Sequence, residues 1–231
     1  MKKLFFIIFI FVAFQLIFGQ TAYFGMGYNV ASGSFKNLNK VVKEYNDVYE
    51  EYLTSKMDEI HLNHGMVFDF GLAMPYFSFS FGLQYNRAKT HALLVGNSGV
   101  KHQQDIWLRC LSLPMDFGIN IDSGSFAFDP GIGINFMFWR YFTRFGEKSD
   151  IDDTDYDDSV TDINMHVKFF TKFVFGGFEE PGLGFVVEPY YNLGIIGSSM
   201  NDLSADLLNY YIEKIDSFNH YGVRLYFIIK G

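Results

Sequence analysis

The segment FSFSFGLQYN, residues 77–86, alternates at every position between a large apolar residue and a small or polar one. Successive side chains of an extended chain point to opposite faces, so one face of this segment carries Phe77, Phe79, Phe81, Leu83 and Tyr85. An amphipathic helix would instead repeat its apolar residues every three or four positions. The segment is therefore predicted to be a β-strand with one strongly apolar face.

The same alternation recurs along the chain after Gln20 and defines eight strands in all. Their predicted ranges are 21–30, 61–73, 76–88, 105–119, 125–142, 163–177, 183–196 and 218–230. In the last range the apolar face consists of Tyr221, Val223, Leu225, Phe227 and Ile229. Repetition of one pattern over the whole chain predicts an all-β fold.

The connections between these strands alternate in length. Tight turns are predicted at residues 74–75, 120–124 and 179–182, and long segments at 31–60, 89–104, 143–162 and 197–217. Transmembrane barrels have short turns at the periplasmic end and long loops at the extracellular end. We therefore expect an eight-stranded antiparallel up-and-down transmembrane β-barrel, with helical insertions in its extracellular loops and both termini in the periplasm.

A soluble lipocalin-like barrel would show the same alternation but would turn its apolar face inward around a ligand. Volume separates the two architectures, because the interior of an eight-stranded barrel is just wide enough for ordinary side chains, and about four or five large rings or aliphatic groups per strand cannot fit there. The opposite face carries small or hydrogen-bonding residues such as Gly25, Asn29, Gly71 and Asn192, which suit a narrow polar lumen. The membrane barrel is the preferred prediction.

The first twenty residues have the layout of a secretory signal peptide. Lys2 and Lys3 precede an apolar stretch from Leu4 to Phe18, and small and polar residues follow it. This stretch is shorter than the roughly 20 apolar residues that a membrane-spanning helix needs. We predict a removable leader at residues 1–19, cut after Gly19, and an outer-membrane barrel domain at residues 20–231.

Charge and cysteine content narrow the function classes. The formal net charge of −8 becomes −10 when Lys2 and Lys3 leave, which argues against a nucleic-acid partner, because phosphate backbones bind clustered positive charge. Cys110 is the only cysteine, so no intramolecular disulfide can form. Aromatic residues make up 19% of the chain without a later apolar run long enough for a membrane helix, a combination typical of membrane barrels.

The leader, the outward Phe and Tyr ladders and the alternation of turns and loops together resemble the small outer-membrane barrels typified by OmpA and OmpX, or a PorT-like or generic outer-membrane β-barrel domain. The resemblance covers nearly all of the mature chain and concerns architecture rather than a family-specific motif. It implies an OmpA-like or porin-like protein of the Gram-negative cell envelope. One departure is the chain end, where Ile228, Ile229, Lys230 and Gly231 stand in place of the usual terminal aromatic residue.

Charged residues also occupy the predicted inward face of the strands. Most lie close to the short turns, which predicts one layer near the periplasmic end, and the preferred interpretation is a salt-bridged plug that includes a triad of Glu188, Arg224 and Lys172. The alternatives are a proton or ion pathway and a catalytic carboxylate pair. The predicted lumen network comprises Asp69, Asp116, Asp129, Lys168, Lys172, Glu188 and Arg224.

Arg109 breaks the alternation, because it falls on the apolar side of the fourth strand. A β-bulge could shift the register at this point. Alternatively, the side chain could lie at the membrane rim and extend its charged end toward water.

Two of the long loops carry helical patterns. Between residues 34 and 57 apolar residues recur every three or four positions, which predicts an amphipathic helix of about six turns capped by Ser34. A shorter helix is predicted from Asp202 to Ile215. The helices are expected either to pack on each other or over the barrel mouth, or to bind an extracellular partner or the outer leaflet. The candidate partner-binding residues are Leu38, Val41, Val42, Tyr45, Tyr49 and Tyr52.

The third long loop contains a dense acidic run between Glu147 and Asp158. Carboxylates can bind calcium, but the turn glycine and the closing glutamate of a calcium-binding loop are missing, so a solvated loop is preferred. The histidines are scattered without a zinc-binding spacing. We therefore predict neither a metal nor a cofactor.

The leading functional hypothesis is a non-enzymatic barrel that acts as an anchor, a surface-interaction protein or an accessory of an envelope assembly. Its expected partners are outer-membrane lipids and an envelope or extracellular protein. Two other classes remain. A lipid-modifying barrel enzyme would need a nucleophile and a base near the outer rim, where the candidates are His91, Ser98 and His102. A narrow channel or transport protein would need an open lumen, against which the predicted charge layer argues.

Overall fold

The computed structural model describes residues 21–33, 35–96, 98–147, 157–178, 181–209 and 215–231. The predicted leader at residues 1–19, the predicted helix cap Ser34 and most of the acidic run lie outside this part of the chain. The boundary between leader and barrel domain stays a prediction.

Eight long strands form the wall of the molecule. All eight overlap their predicted ranges, and most continue further than predicted at the long-loop end. In chain order they are β1 (Thr21–Gly33), β2 (Leu62–Met74), β3 (Phe77–Val95), β4 (Lys101–Gly118), β5 (Phe126–Glu147), β6 (Asp157–Phe175), β7 (Gly182–Ile196) and β8 (His220–Lys230).

These strands close into a ring. Each pairs in antiparallel fashion with its neighbours along the chain, and β1 closes the ring by pairing with β8 from Tyr23 opposite Lys230 to Gly33 opposite His220. The predicted class, a closed antiparallel barrel, is confirmed. Short strands are added to this sheet or form a separate ribbon, and they are Leu53–Ser55 beside β3, Ile121–Asp122 beside β5, and Ser198–Ser199 paired with Ile215–Asp216.

The hairpin of β3 and β4 is longer than expected. The sequence predicts a long loop at residues 89–104, but β3 runs to Val95 and β4 begins at Lys101, so the connection is residues 96–100. The loop prediction is wrong because it relied on an apolar outer face, and that face ends near Arg87. Burial of alternate residues continues beyond this point. Alternation and backbone pairing therefore outlast the apolar belt.

Arg109 lies on the outer face of β4 in an unbroken ladder. It is opposite Arg87 of β3 on one side and Arg140 of β5 on the other, and the register is the same above and below it. A bulge therefore does not explain its place on the apolar side of the strand. The half-buried side chain lies near the loop end of the outer face, as expected for a rim position.

The two faces of the wall differ in the way that a membrane barrel requires. On β8, Tyr221, Leu225 and Phe227 are 62%, 45% and 67% exposed, whereas the alternate residues His220 and Arg224 are buried. The other ring strands show the same alternation of exposed apolar and buried residues. The apolar face points outward and the polar face lines the lumen, which is the reverse of a soluble ligand-carrying barrel.

Two helices lie in the long loops, α1 (Lys36–Val48) and α2 (Asn201–Leu208). Both are shorter than predicted. α1 begins after Phe35, which makes no side-chain capping hydrogen bond, and it ends at Val48, before residues 53–55 pair with β3. In the described part of the chain, no helix has the length and apolar character needed to cross a membrane.

Closure of the ring predicts heat-modifiable migration on SDS gels. Refolded protein is expected to run faster unboiled than boiled and to show a β-sheet circular dichroism spectrum, because a closed ladder leaves no strand edge from which to unravel. A chain that ends before His220 lacks β8 and cannot close, so boiling should not change its mobility. Equal mobility of the full-length protein before and after boiling would contradict the closed ring.

Candidate functional site

The lumen contains a cycle of paired charges. Glu188 Oε1 on β7 lies 2.6 Å from Lys168 Nζ and 3.2 Å from Arg224 Nη1. Asp116 Oδ2 on β4 lies 2.5 Å from Lys168 Nζ and 3.8 Å from Arg224 Nη1. Two acids and two bases thus alternate around the cycle, so each charge has two partners of opposite sign that offset the cost of removing it from water.

A second centre surrounds Lys172 on β6. Its ammonium group donates to Ser80 Oγ at 2.7 Å and to Tyr23 Oη at 3.0 Å, and it lies 3.3 Å from Asp69 Oδ2. The Tyr23 hydroxyl in turn donates to Asp69 Oδ2 at 3.0 Å. The ammonium therefore has one charged and two neutral acceptors, which matches its three donor hydrogens.

The expected triad is wrong in one member. The sequence places Lys172 with Glu188 and Arg224, whereas in the structure Lys168 takes that place and Lys172 pairs with Asp69. Barrel strands are inclined to the barrel axis. Residues that are paired across neighbouring strands therefore lie at different positions along that axis. Side chains that meet across the lumen are therefore offset from the backbone register, and counting residues from the turns does not capture this offset.

Neutral side chains that the sequence pattern did not single out complete the network. Tyr226 donates its hydroxyl hydrogen toward Glu188 Oε2 at 3.0 Å, and Ser78 Oγ donates to Asp129 Oδ2 at 2.7 Å. Gln84 Oε1 accepts a hydrogen bond at 2.8 Å from the lumen guanidinium. All three residues lie at inward positions of their strands. A search for hydrogen-bonding residues at the same alternating positions as the lumen charges would have identified them from the sequence.

This charged layer joins strands across the lumen. Lys168, Glu188 and Arg224 are each 0% exposed. The cations also lie against aromatic faces, with Lys168 Nζ 4.7 Å from the centre of the Phe170 ring and Arg224 Cζ 5.2 Å from that of Tyr190. Each of these buried cations thus has an acidic partner and an aromatic ring beside it. The arrangement holds opposite walls of the barrel together.

The two helices fill the loop end of the lumen. Leu38 and Val42 of α1 and Leu203 and Leu207 of α2 belong to one buried cluster that also includes Phe218. The inner wall contributes to the same cluster the residues Ala88, Ala92, Ile106, Leu108, Cys110, Met137, Trp139 and Tyr141. The inner face of β3, β4 and β5 is therefore apolar toward the long-loop end, and the two helices pack on this part of the wall as a cap.

Most candidate partner-binding residues point into this cap. The buried ones are Leu38, Val41, Val42 and Tyr45. Burial, with a smaller contribution from Tyr49, raises the pKa of Tyr45 above its ordinary value, so the phenol stays neutral. Of the two alternatives for this helix, packing over the barrel mouth is the one that these four residues show. The prediction that they bind a partner is wrong, because their side chains are buried. Tyr49 is half-buried, and Tyr52 is 47% exposed beyond the end of α1.

The candidate catalytic residues of the rim do not form one site. In the β3–β4 ladder His91 lies opposite Asp105 and His102 lies opposite Leu94, which are positions of opposite parity. The two histidines therefore lie on opposite faces of the wall. The His102 ring stacks on that of Phe145. Ser98 lies in the short connection between the strands. These described residues do not place a nucleophile between a base and an orienting group.

The chain matches no family model and no curated protein. Among solved structures it resembles the outer membrane protein OprG from Pseudomonas aeruginosa at 12% identity and a TM-score of 0.50, over 93% of this chain and 96% of that one. It also aligns with Ail, the attachment invasion locus protein of Yersinia pestis, at 9% identity over 91% and 98% of the two chains, with a TM-score of 0.44. Neisserial surface protein A aligns at 10% identity over 92% and 97%, with a TM-score of 0.41.

The likeness to OprG concerns the fold alone, and it agrees with the closed ring and the outward apolar face. This chain has the fold of a small outer-membrane β-barrel. The resemblance that the sequence shows to barrels of the OmpA and OmpX kind is confirmed at that level.

Neutralising the central acid is expected to destabilise the barrel. Glu188→Gln would leave Lys168 and Arg224 sharing Asp116, and breaking a buried ion pair costs about 3–5 kcal/mol. Urea unfolding in lipid vesicles, followed by tryptophan fluorescence, measures the change in free energy. Glu147→Gln, at an exposed position at the end of β5, is the matched control and should change stability by about 0.5 kcal/mol or less. Equal stability of both variants would show that the cycle contributes little.

A buried charge in the cap is expected to release α1 from the mouth. Val42→Asp places an unpaired carboxylate in the cluster, whereas Val48→Asp makes the same change at a position that is 52% exposed. Limited proteolysis should cut within residues 36–56 on the order of tenfold faster in the Val42 variant, with heat-modifiable migration retained by both proteins. Similar cleavage rates in the two variants would mean that α1 is not held by this cluster.

Proposed function

We propose that this protein is a non-conducting, non-enzymatic barrel of the outer membrane that carries a rigid capped surface on its outer side for binding an envelope or extracellular protein. The observation that supports this function best is the double closure of the lumen, by the charge layer below and by the helices above. A barrel closed twice has no passage through it, so its remaining contacts with the surroundings are its outer wall and its loops.

The outer wall supports a membrane location. Apolar side chains of neighbouring strands form a continuous exposed belt, in which Met26, Met66 and Ile132 are 52%, 53% and 51% exposed. On β8 the exposed apolar positions from Tyr221 to Ile229 span roughly 20 Å along the barrel axis for strands inclined by about 40°. Soluble proteins rarely expose a patch of this extent, and an outward apolar band about 25 Å tall is what a bilayer covers.

The difference between the two ends of the barrel supports the orientation. Both described chain ends, at Thr21 and Gly231, and the short connections lie at one end, whereas α1, α2 and the extended hairpin lie at the other. Outer-membrane barrels keep short turns in the periplasm. With that orientation both termini are periplasmic and the capped mouth faces the exterior.

The segment after α1 is the strongest candidate for the partner surface. Val48 and Tyr52 are 52% and 47% exposed, and the acidic residues Glu50 and Glu51 lie between them. Residues 53–55 then pair with β3, which fixes the segment to the wall. Apolar groups held rigidly beside acids fit a protein partner that offers an apolar patch with basic residues at its rim.

Site-specific photo-crosslinking in intact cells tests this surface. A photoreactive amino acid at Val48 and one at Tyr52 should each capture the same protein, because both positions are exposed and one short turn joins them. A photoreactive residue at Tyr76, which is 85% exposed in the short turn at the other end, should not capture it. The double variant E50K/E51K should reduce the yield several-fold, since its lysines would repel the basic residues at the rim of the proposed partner.

The function proposed would be overturned by crosslinking that gives no shared product from Val48 and Tyr52, or by a product that forms equally well in the charge-reversed variant. Conductance of the purified protein in planar bilayers would equally contradict a closed lumen.

A further inference from the structure

Arginine is distributed unevenly over this molecule. The chain contains five arginines, of which Arg224 lies in the lumen and the other four lie on the outer face of three adjacent strands. Those four are Arg87 on β3, Arg109 on β4, and Arg140 and Arg144 on β5. In a chain with a formal net charge of −8, this concentration of guanidinium groups marks one part of the wall.

Three of these arginines form a row. Arg87 is opposite Arg109, and Arg109 is opposite Arg140, so the three side chains follow one hydrogen-bond line across three strands. Adjacent strands lie about 4.8 Å apart, which places neighbouring guanidinium groups within reach of one ligand. Arg87 is ten residues above Phe77 on β3, roughly 25 Å along the axis of an inclined strand. The row therefore lies where the apolar belt ends.

Two aromatic rings hold the cations against the wall. Trp107 and Phe142 lie one step above the row, with Arg109 Cζ 4.9 Å from the indole centre and 4.6 Å from the phenyl centre. Arg140 Cζ lies 4.9 Å from Phe142, and Lys89 Nζ lies 4.9 Å from Trp107. A guanidinium that is stacked on a ring is held in place, so it loses little further entropy when an acceptor binds.

The acid Asp105 lies on this face. Asp105 Oδ2 lies 2.5 Å from Arg144 Nη2 and 3.3 Å from Lys89 Nζ, further toward the loop than the row. Gln103 also donates to its other oxygen at 2.7 Å. The carboxylate thus fixes the two upper cations, and the arginine row lies between this ion-pair cluster and the apolar belt.

We propose that the row of Arg87, Arg109 and Arg140 binds the phosphate groups of a lipid headgroup in the outer leaflet, an inference that rests on the membrane location proposed above. The apolar belt directly below would contact the acyl chains of the same lipid. Arginine provides a planar pair of donors that matches two oxygens of a phosphate, which a lysine cannot do. Snorkelling at the rim accounts for one isolated cation, but it does not require three arginines in register on adjacent strands.

The test compares lipids that differ only in their phosphates. Refolded full-length protein is titrated with diphosphorylated lipid A in mixed micelles, and with the same lipid A after removal of both phosphates, and bound lipid is counted by native mass spectrometry. The wild-type protein is expected to bind the phosphorylated form about tenfold more tightly or better. The triple variant R87Q/R109Q/R140Q should lose that preference, because glutamine keeps a polar hydrogen-bonding side chain but not the charge.

A matched variant removes the same number of charges elsewhere. K40Q/K43Q/K56Q changes three exposed lysines of the first loop and should keep the wild-type preference. Loss of preference in this control, or its retention in the arginine variant, would overturn the assignment. So would full competition by millimolar inorganic phosphate, because that outcome describes a site for the anion alone rather than for a lipid headgroup.

The same samples separate this failure from failure of the membrane location. Each protein is run unboiled and boiled on an SDS gel and assayed for insertion into vesicles. An inserted, heat-modifiable barrel without phosphate preference would reject the lipid site alone, whereas a wild-type protein that does not insert would reject the location on which the site rests.

Discussion

An eight-stranded ring leaves room inside for little more than one layer of side chains, and this limit determines how the rest of the chain is used. Phe and Leu ladders must point outward because they do not fit inside, and the inner face must be small wherever a large residue is to enter. Gly25 and Gly71 show this directly, since a Cβ at either position would collide with the inward ring of Tyr226 or Tyr23. The glycines make the space in which those tyrosines reach the charge layer.

The same limit explains why the lumen cations lie beside acids. In a wide pore a lysine can remain hydrated, but in this ring Lys168 and Lys172 are enclosed by opposite walls and need protein acceptors. Replacing either acid partner would leave a buried cation, so the network is expected to be stable only as a set. A closed cycle of this kind connects the strands of the barrel from within.

Local patterns in the sequence sufficed for most of the fold, and long-range geometry accounts for what they missed. Period-two alternation identified all eight ring strands, because it depends on neighbouring residues only, and the limited volume of the interior gave the orientation of their faces. The extension of β3 to Val95 was missed because hydrophobicity was read as the sign of a strand, whereas backbone pairing continues where the outer face turns polar. The exchange of Lys172 for Lys168 beside Glu188 depends on strand inclination, which one strand considered alone does not reveal.

Arg109 connects these observations to function. As a single exception to alternation it allowed either a bulge or a rim position, and nothing in its own strand could decide between them. The unbroken register decides, because it also places Arg87 and Arg140 on either side of it and so turns one exception into a row. Chemistry on the outer wall therefore changes in steps from apolar belt to arginine row to ion-pair cluster, and these steps follow the change of environment from acyl chains through headgroups to water. Such an ordered exterior offers a barrel a means of recognition that does not depend on its lumen, since each level of the wall meets a different chemical layer of the membrane.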